Sequence, residues 1–169
     1  VARQYCGTAG KVDNCQVGVF AAYVSKYGYA LIDKRLFLPK QWFTDEYRER
    51  REKCNLSKDT VFRTKPQLAA EMLQTIHEEK TLPFKYVLGD SIYGISPEFI
   101  ETVDSLPGIT YLVSVPNSTL CWLKRPMTIN KQYRWGGETK TKTVLADTDG
   151  KPIAVSDLAR NINDYFWYH

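Results

Sequence analysis

Asp90 is the residue of this chain whose sequence surroundings best fit a chemical role. It follows the apolar run Tyr86–Gly89 and precedes a Tyr93-Gly94 pair, and a helix start follows at Ser96-Pro97. This order predicts a buried strand that delivers one carboxylate to the edge of a sheet, where it is a candidate metal ligand. An acid between a strand and a helix is also often a simple cap of the backbone, so the capping role stays open here.

Other acidic residues are weaker candidates. Asp33 is expected at the end of a strand, and a structural or turn-capping role is favoured over a catalytic one. Asp147 and Asp149 resemble the start of a calcium loop, but Gly150 comes too early for the EF-hand spacing and no bidentate acid follows. That segment is predicted to be a hairpin turn. Glu138 is expected on an exposed strand.

The sequence gives no sign of nucleophilic catalysis. Its two histidines are His77, on the polar side of a predicted helix, and the terminal His169, so no Ser/His/Asp or Cys/His arrangement is available and an α/β hydrolase is disfavoured. The four cysteines lie far apart without a C-x-x-C pair, which argues against a zinc ribbon or a disulfide framework. Reduced thiols in a cytoplasmic protein are expected.

Composition sets broad limits on the class of protein. The 169 residues are 43% apolar, enough for one domain with a core. The net charge of +4 and the 13% aromatic content are compatible with a nucleic-acid partner without establishing one. No apolar run is long enough to span a membrane, and the first residues lack the basic-then-apolar pattern of a leader, so export is not expected. The start without methionine and the aromatic cluster at residues 165–169 are interpreted as the cut ends of a fragment.

The first half of the chain is predicted to hold a hairpin and a charged helix. Residues 16–24 and 29–33 form two β-rich runs joined at Tyr27-Gly28, which predicts an antiparallel pair. Residues 36–42 are expected to be an apolar loop packed on the core, because Pro39 ends any strand. Thr44 is the predicted cap of a solvated surface helix over residues 45–53.

The middle of the chain is predicted to alternate helix and strand. Thr64 opens a capping box before an apolar stripe that ends near residue 80, and a strand over residues 84–89 follows. Ser96 caps a second helix, and residues 110–115 form the next strand, so a right-handed parallel crossover is expected. Beyond a change of subdomain near Asn117, residues 138–146 are predicted as an exposed strand and Ser156 as the cap of a short helix.

Five runs in this order closely resemble the catalytic domain of bacterial insertion-sequence transposases of the DDE type. The resemblance is strong over residues 1–116 and weak beyond them. The runs are residues 1–7, residues 13–19, residues 36–39 with Trp42, residues 64–69 and residues 90–94.

The resemblance implies an α/β fold with a ribonuclease H-like mixed sheet and flanking helices. Residues 1–116 would be a partial catalytic core lacking its first strand, and residues 117–169 the start of a β-rich inserted segment. In such proteins three acids hold two Mg²⁺ ions, and Asp90 matches the second acid. The first would precede Val1 and the third, a glutamate, would lie beyond His169. Glu138 is not expected to be that glutamate, because the Tyr-x-x-Arg-x-x-x-Glu signature of some relatives is absent around Tyr133.

The implied function of the intact parent is metal-dependent DNA cleavage and strand transfer of an insertion sequence. The isolated chain is expected to be inactive, and the alternative is a non-catalytic DNA-binding or interaction remnant of an inactivated transposase. DNA is the implied partner, a homodimer is possible in the parent, and no membrane role is expected. Two sets of basic residues are candidates for phosphate contacts, with ordinary solvated charge as the alternative: Arg3, Lys11 and Lys65, then Lys124 and Arg125 with Lys131 and Arg134.

Overall fold

The computed structural model describes residues 1–146 and 151–162. Its contacts divide into two compact units, Val1–Ser114 and Val115–His169. The predicted turn at Asp147–Gly150 and the aromatic cluster at residues 165–169 lie outside the described residues. The assignment of residues 1–116 to a catalytic core and 117–169 to an inserted segment stays a prediction.

The first unit opens with a hairpin that the sequence did not predict. Strands β1 (Ala2–Cys6) and β2 (Lys11–Cys15) pair antiparallel, with Ala2 opposite Cys15 and Cys6 opposite Lys11. Only Ala2 of these two strands is buried, and the other residues are exposed or half-buried. The sequence therefore lacks the alternation of apolar and polar residues by which a strand is recognised.

The second hairpin confirms the predicted antiparallel pair but is longer than expected. Strand β3 (Val17–Ser25) pairs with β4 (Gly28–Phe37) across a turn at residues 26 and 27. Leu36 and Phe37 therefore belong to a strand, and the prediction that they lie in a loop is wrong. Asp33 was expected at a strand end, but it lies inside β4, opposite Ala21, where the register shifts.

A charged segment links this hairpin to the main helix. Two short 3₁₀ turns, Lys40–Phe43 and Asp45–Tyr47, precede helix α1 (Arg48–Lys53), which buries no residue, as expected for a solvated helix. Trp42 is buried, as predicted. Thr44 does not act as a side-chain cap, because its hydroxyl donates backwards to the carbonyl of Gln41 at 2.9 Å.

Helix α2 (Lys65–Glu79) starts at the predicted capping box. The Thr64 hydroxyl accepts the Gln67 N–H at 3.3 Å, and the Gln67 side-chain oxygen accepts the Thr64 N–H at 2.8 Å. The helix ends where Lys80 adopts a left-handed conformation, φ 53°. Its buried face carries Leu68, Ala69, Ala70, Met72 and Ile76, so the predicted stripe is confirmed except that Leu73 is only half-buried.

A strand, two helices and a second strand follow. Strand β5 (Tyr86–Gly89) leads into the one-turn helix α3 (Ser91–Gly94), then into α4 (Pro97–Asp104), which Ser96 caps as predicted, and into β6 (Thr110–Val113). Strands β5 and β6 are parallel, as expected, and the right-handed sense of their connection stays a prediction. However, β5 is not buried on both faces, because Val87 is buried whereas Leu88 is 78% exposed.

The core of this unit lies between α2, α4 and one face of the strands. Met72 and Val103 are its most deeply buried large side chains, and they cluster with Val19, Val87 and Phe99. Burying a side chain of this size contributes about 1.5–3 kcal/mol to folding. The helices therefore fix the inner face of β3 and β5, and with it the point at which β5 ends.

An apolar groove of about 780 Å³ separates β3 from β5 above α2. Residues 20–25 line one side and residues 83–88 the other. Successive side chains of a strand point to opposite faces of its sheet, so a groove that lay over one face would be lined by every second residue. Here consecutive residues line the groove, which means that the edges of the strands face it. In the described part of the chain β3 pairs only with β4 and β5 only with β6, so both facing edges lack a strand partner.

The second unit is a set of small β elements and one short helix. Strand β7 (Leu120–Cys121) pairs with β10 (Ile153–Ala154), and β8 (Thr128–Trp135) pairs with β9 (Glu138–Leu145). The strand at β9 was predicted, whereas β8 was not. Helix α5 (Val155–Arg160) begins after Ala154, so Ser156 lies inside the helix and is not its cap.

The described strands form five separate two-stranded sheets. Together with the helices they confirm the α/β class, and the single ribonuclease H-like mixed sheet stays a prediction. All four cysteines are free thiols, as expected. Among residues 1–146 and 151–162, no helix is long and apolar enough to cross a membrane.

Candidate active site at the end of strand β5

Asp90 lies where β5 ends and α3 begins. Its backbone is extended, φ −80° and ψ −175°, as is usual for a residue that precedes a helix. Its carbonyl accepts the N–H groups of Tyr93 and Gly94, both at 3.1 Å. The strand end was predicted, but the helix turn directly after Asp90 was not, because four residues are too few to show a helical period.

The Asp90 carboxylate is exposed, and only half of it is used by the protein. Oδ1 accepts the N–H of Ile92 at 2.9 Å, which is the capping bond anticipated as the alternative role. Within the described residues, Oδ2 has no hydrogen-bond partner. The cap therefore holds the carboxylate in place and leaves one oxygen directed to solvent, so capping and ligand binding are compatible.

The turn after Asp90 is pressed against the end of β6. The Ser114 N–H donates to the Gly89 carbonyl at 3.0 Å, which extends the parallel ladder by one bond. A Cβ on Gly94 would stand 2.0 Å from the Ser114 carbonyl oxygen, so only glycine fits there. Sequence reasoning missed Ser114, because its place beside Asp90 follows only from the register of β5 and β6.

Tyr93 forms the inner wall of this turn. Its ring packs on Phe99 with the centroids 5.1 Å apart, and the side chain is half-buried. Burial raises the pKa of the Tyr93 hydroxyl above its ordinary value, and the negative charge of Asp90 raises it further. The ring thus holds the Asp90 turn on the core and keeps a neutral hydroxyl near the carboxylate.

The other candidate acids do not join Asp90. The Asp33 carboxylate accepts from the Arg35 guanidinium at 2.5 Å and from the Lys34 N–H at 2.6 Å, which supports the structural role expected for it. Glu138 lies opposite Trp135 on the β8–β9 hairpin of the second unit. No group of three or more His, Cys, Asp or Glu residues that could hold a metal ion occurs in the ranges 1–146 and 151–162.

The basic residues proposed for DNA contact have different surroundings. Arg3 is exposed on β1, and Lys11 is exposed but pairs with Asp13 at 3.1 Å. The Lys65 ammonium lies 5.3 Å from the centre of the Phe37 ring at the start of α2. In the second unit, Lys124 and Arg125 are exposed in the segment between β7 and β8. Their contacts with DNA stay predictions.

His77 has a packing role that its sequence position did not indicate. It was placed on the polar side of α2, but it is half-buried, its ring meets Phe84 edge-on at 6.1 Å, and Nε2 lies 3.3 Å from the Pro107 carbonyl oxygen. These contacts tie α2 to the segments before β5 and after α4.

Comparison with known proteins identifies the family. A family model described as DDE superfamily endonuclease matches residues 1–168. No curated protein and no solved structure gives a significant match. The family implies DNA as the substrate class and a nuclease or transposase-like function, which agrees with the resemblance found in the sequence. Because the match covers nearly the whole chain, this protein belongs to the DDE superfamily of endonucleases.

Proposed function

We propose that this chain is part of the catalytic domain of a DDE transposase that cleaves DNA and transfers strands with the help of divalent metal ions. The observation that carries the proposal is the Asp90 carboxylate, fixed by its cap at the end of β5 with one oxygen free. Water would cleave the DNA at the element's end, and the freed 3′-hydroxyl would attack the target DNA.

The described residues do not by themselves provide the ligands that a metal site needs. DDE nucleases generally use divalent metal ions. Two ions can activate the attacking oxygen and stabilise the leaving one, which needs several converging carboxylates. The residues described here bring only Asp90 to the end of β5 and do not by themselves make a site. Asp90 would hold a metal ion together with acids that the resemblance assigns to positions before Val1 and after His169.

We also propose that a further strand, the one expected to carry the first acid, fills the groove between β3 and β5. Two facing strand edges without partners support this, because one inserted strand would give both edges their hydrogen bonds. The groove floor is the apolar face of α2, with Ala69, Met72 and Leu73, which favours an apolar strand. Such a strand would join four strands of the first unit into the mixed sheet and would end beside Asp90.

The test is Asp90→Asn in the intact parent protein, assayed for Mg²⁺-dependent cleavage of transposon-end DNA and separately for DNA binding. Asparagine keeps the capping oxygen and removes the charge that a metal needs, so we expect cleavage to be lost and binding to stay within about twofold. Asp33→Asn is the matched control, because the same change on β4 lies away from the site.

Cleavage that survives Asp90→Asn would remove Asp90 from the metal site. The coding sequence on either side of this chain separates the proposal from the non-catalytic alternative. An open frame with a strand-borne aspartate upstream and a helix-borne glutamate downstream supports an enzyme. Stop codons on both sides would instead identify a remnant that retains at most DNA binding.

A further inference from the structure

The β8–β9 hairpin of the second unit carries its three lysines and its two aromatic rings on one face. Directly opposed residues share a face, and the register pairs Lys131 with Lys142 and Tyr133 with Lys140. Trp135 follows on the same face, because residues two apart in a strand point the same way. Glu138, which is directly opposite Trp135, lies on this face too. The opposite face holds mainly neutral polar side chains, namely Thr128, Asn130, Gln132, Thr139, Thr141 and Thr143, with Arg134 and Leu145.

This face, defined by Lys131, Tyr133, Trp135, Lys140 and Lys142, is open to solvent. Every residue of β8 is exposed, and the Trp135 side chain is 70% exposed. A concave surface of about 610 Å³ is lined by these five residues with Gln132 and Val144. A tryptophan this exposed on a strand is a common mark of a binding surface.

The three lysines of this face outnumber its one acid, Glu138. Two lysines directly opposite each other, Lys131 and Lys142, destabilise a hairpin, and no ion pair of these lysines occurs in the described residues. Between residues 124 and 142 the chain has six basic residues and one acidic residue, Glu138. An anionic ligand would relieve this repulsion.

We propose that this face of the β8–β9 hairpin binds unpaired nucleotides of DNA, with the lysines on phosphates and the two rings stacked on bases. The inference rests on the proposed function for the substrate class, DNA, and is otherwise independent of Asp90. Single strands are favoured over duplex because only unpaired bases offer their faces for stacking. Tyr133 and Trp135 lie about 6.8 Å apart along the strand, a spacing that suits bases separated from one another.

The experiment measures binding of the whole chain to a labelled oligothymidylate of about 15 nucleotides by fluorescence anisotropy, in EDTA so that cleavage plays no part. Trp135→Ala should weaken binding roughly 5- to 150-fold, the range for loss of one stacked base, whereas Trp135→Phe should retain most of the affinity. Circular dichroism serves as the folding control, and each variant is expected to be folded because the Trp135 side chain is exposed.

The lysines are tested through salt dependence. Changing Lys131, Lys140 and Lys142 to glutamine should lower the slope of log affinity against log salt by about 2, since each phosphate contact on a single strand contributes about 0.7. The matched control changes Lys34, Lys53 and Lys58, three exposed lysines of the first unit, and has the same net charge. It should leave the slope near that of the unchanged protein.

Three results would overturn the proposal. The first is affinity for the oligothymidylate that Trp135→Ala leaves unchanged. The second is an equal decrease in the salt slope for the two triple lysine variants, which would mean that only the overall charge of the protein matters. The third is equal affinity for polyglutamate with the same dependence on Trp135, which would make the face a site for acidic peptides. Loss of cleavage in the parent's Asp90→Asn variant bears on none of these, so the two proposals fail separately.

Discussion

At the scale of single residues, the turn from Asp90 to Gly94 is fixed by three different contacts. Asp90 caps the backbone, Tyr93 packs on Phe99, and Gly94 lies against the Ser114 carbonyl. The sequence predicted the position of Asp90, because an apolar run followed by an acid is a local pattern. It did not predict the reason for Gly94, since Ser114 is twenty residues away and comes close only through the parallel pairing.

Gly94→Ala tests this close approach. The new methyl group would meet a backbone oxygen that cannot rotate away, so α3 or the end of β6 must shift. Overpacking of this kind costs about 1–3 kcal/mol, which outweighs the gain of up to about 1 kcal/mol from replacing a helical glycine. We expect a net loss in the free energy of unfolding, measured by urea denaturation.

Gly7→Ala is the control for that change. Nothing lies within 4 Å of a Cβ at Gly7, and its backbone is outside the left-handed region. The same substitution there should be neutral or stabilise the protein by up to about 1 kcal/mol. If the two variants had equal stability, the packing of the Asp90 turn against Ser114 would be refuted.

At the scale of elements, the sequence predicted those whose buried face repeats with a clear period. Helices α2 and α4 and strand β3 each place apolar residues on the core, and each was found within a few residues of its bounds. Strands β1, β2 and β8 were missed because they bury almost nothing, so their side chains need not alternate. The groove between β3 and β5 could not be predicted from the sequence, because it depends on which strands pair with one another in the folded chain.

The start of α2 offers an element-scale prediction. Thr64→Ala removes the hydroxyl that accepts the Gln67 N–H, and the Gln67 side chain also donates to the Glu98 carboxylate at 2.9 Å, which links α2 to α4. Losing a cap costs about 0.5–2 kcal/mol. We expect a loss near 1 kcal/mol in urea denaturation, with Thr64→Ser close to the unchanged protein.

Thr44→Ala is the matched comparison. Thr44 also precedes a helical turn, but its hydroxyl donates to Gln41 and caps no N–H group. Its removal should cost less than about 0.5 kcal/mol, as for an ordinary surface position. A Thr44 variant that lost as much stability as the Thr64 variant would show that the capping box contributes nothing specific.

At the scale of the whole molecule, charge and the candidate catalytic residue are divided between the two units. Residues 115–169 have eight basic and five acidic residues and so carry +3 of the net charge of +4. Residues 1–114 contain Asp90 and the helical core but are nearly neutral, with fifteen basic and fourteen acidic residues. Under the two proposals, the first unit supplies a metal ligand and the second supplies much of the attraction for DNA.

This division predicts that the 169-residue chain binds DNA without cutting it. Mg²⁺ is held by carboxylates and phosphate oxygens, and cleavage by two ions needs several converging carboxylates. The described residues provide one candidate carboxylate, that of Asp90, and its Oδ1 already accepts the N–H of Ile92. We therefore expect that supercoiled plasmid incubated with the chain and Mg²⁺ or Mn²⁺ is nicked no faster than with the Asp90→Asn variant, while both proteins retard the plasmid equally in a gel. Nicking that requires both the metal and Asp90 would contradict this prediction, because it would mean that acids within these 169 residues complete the site.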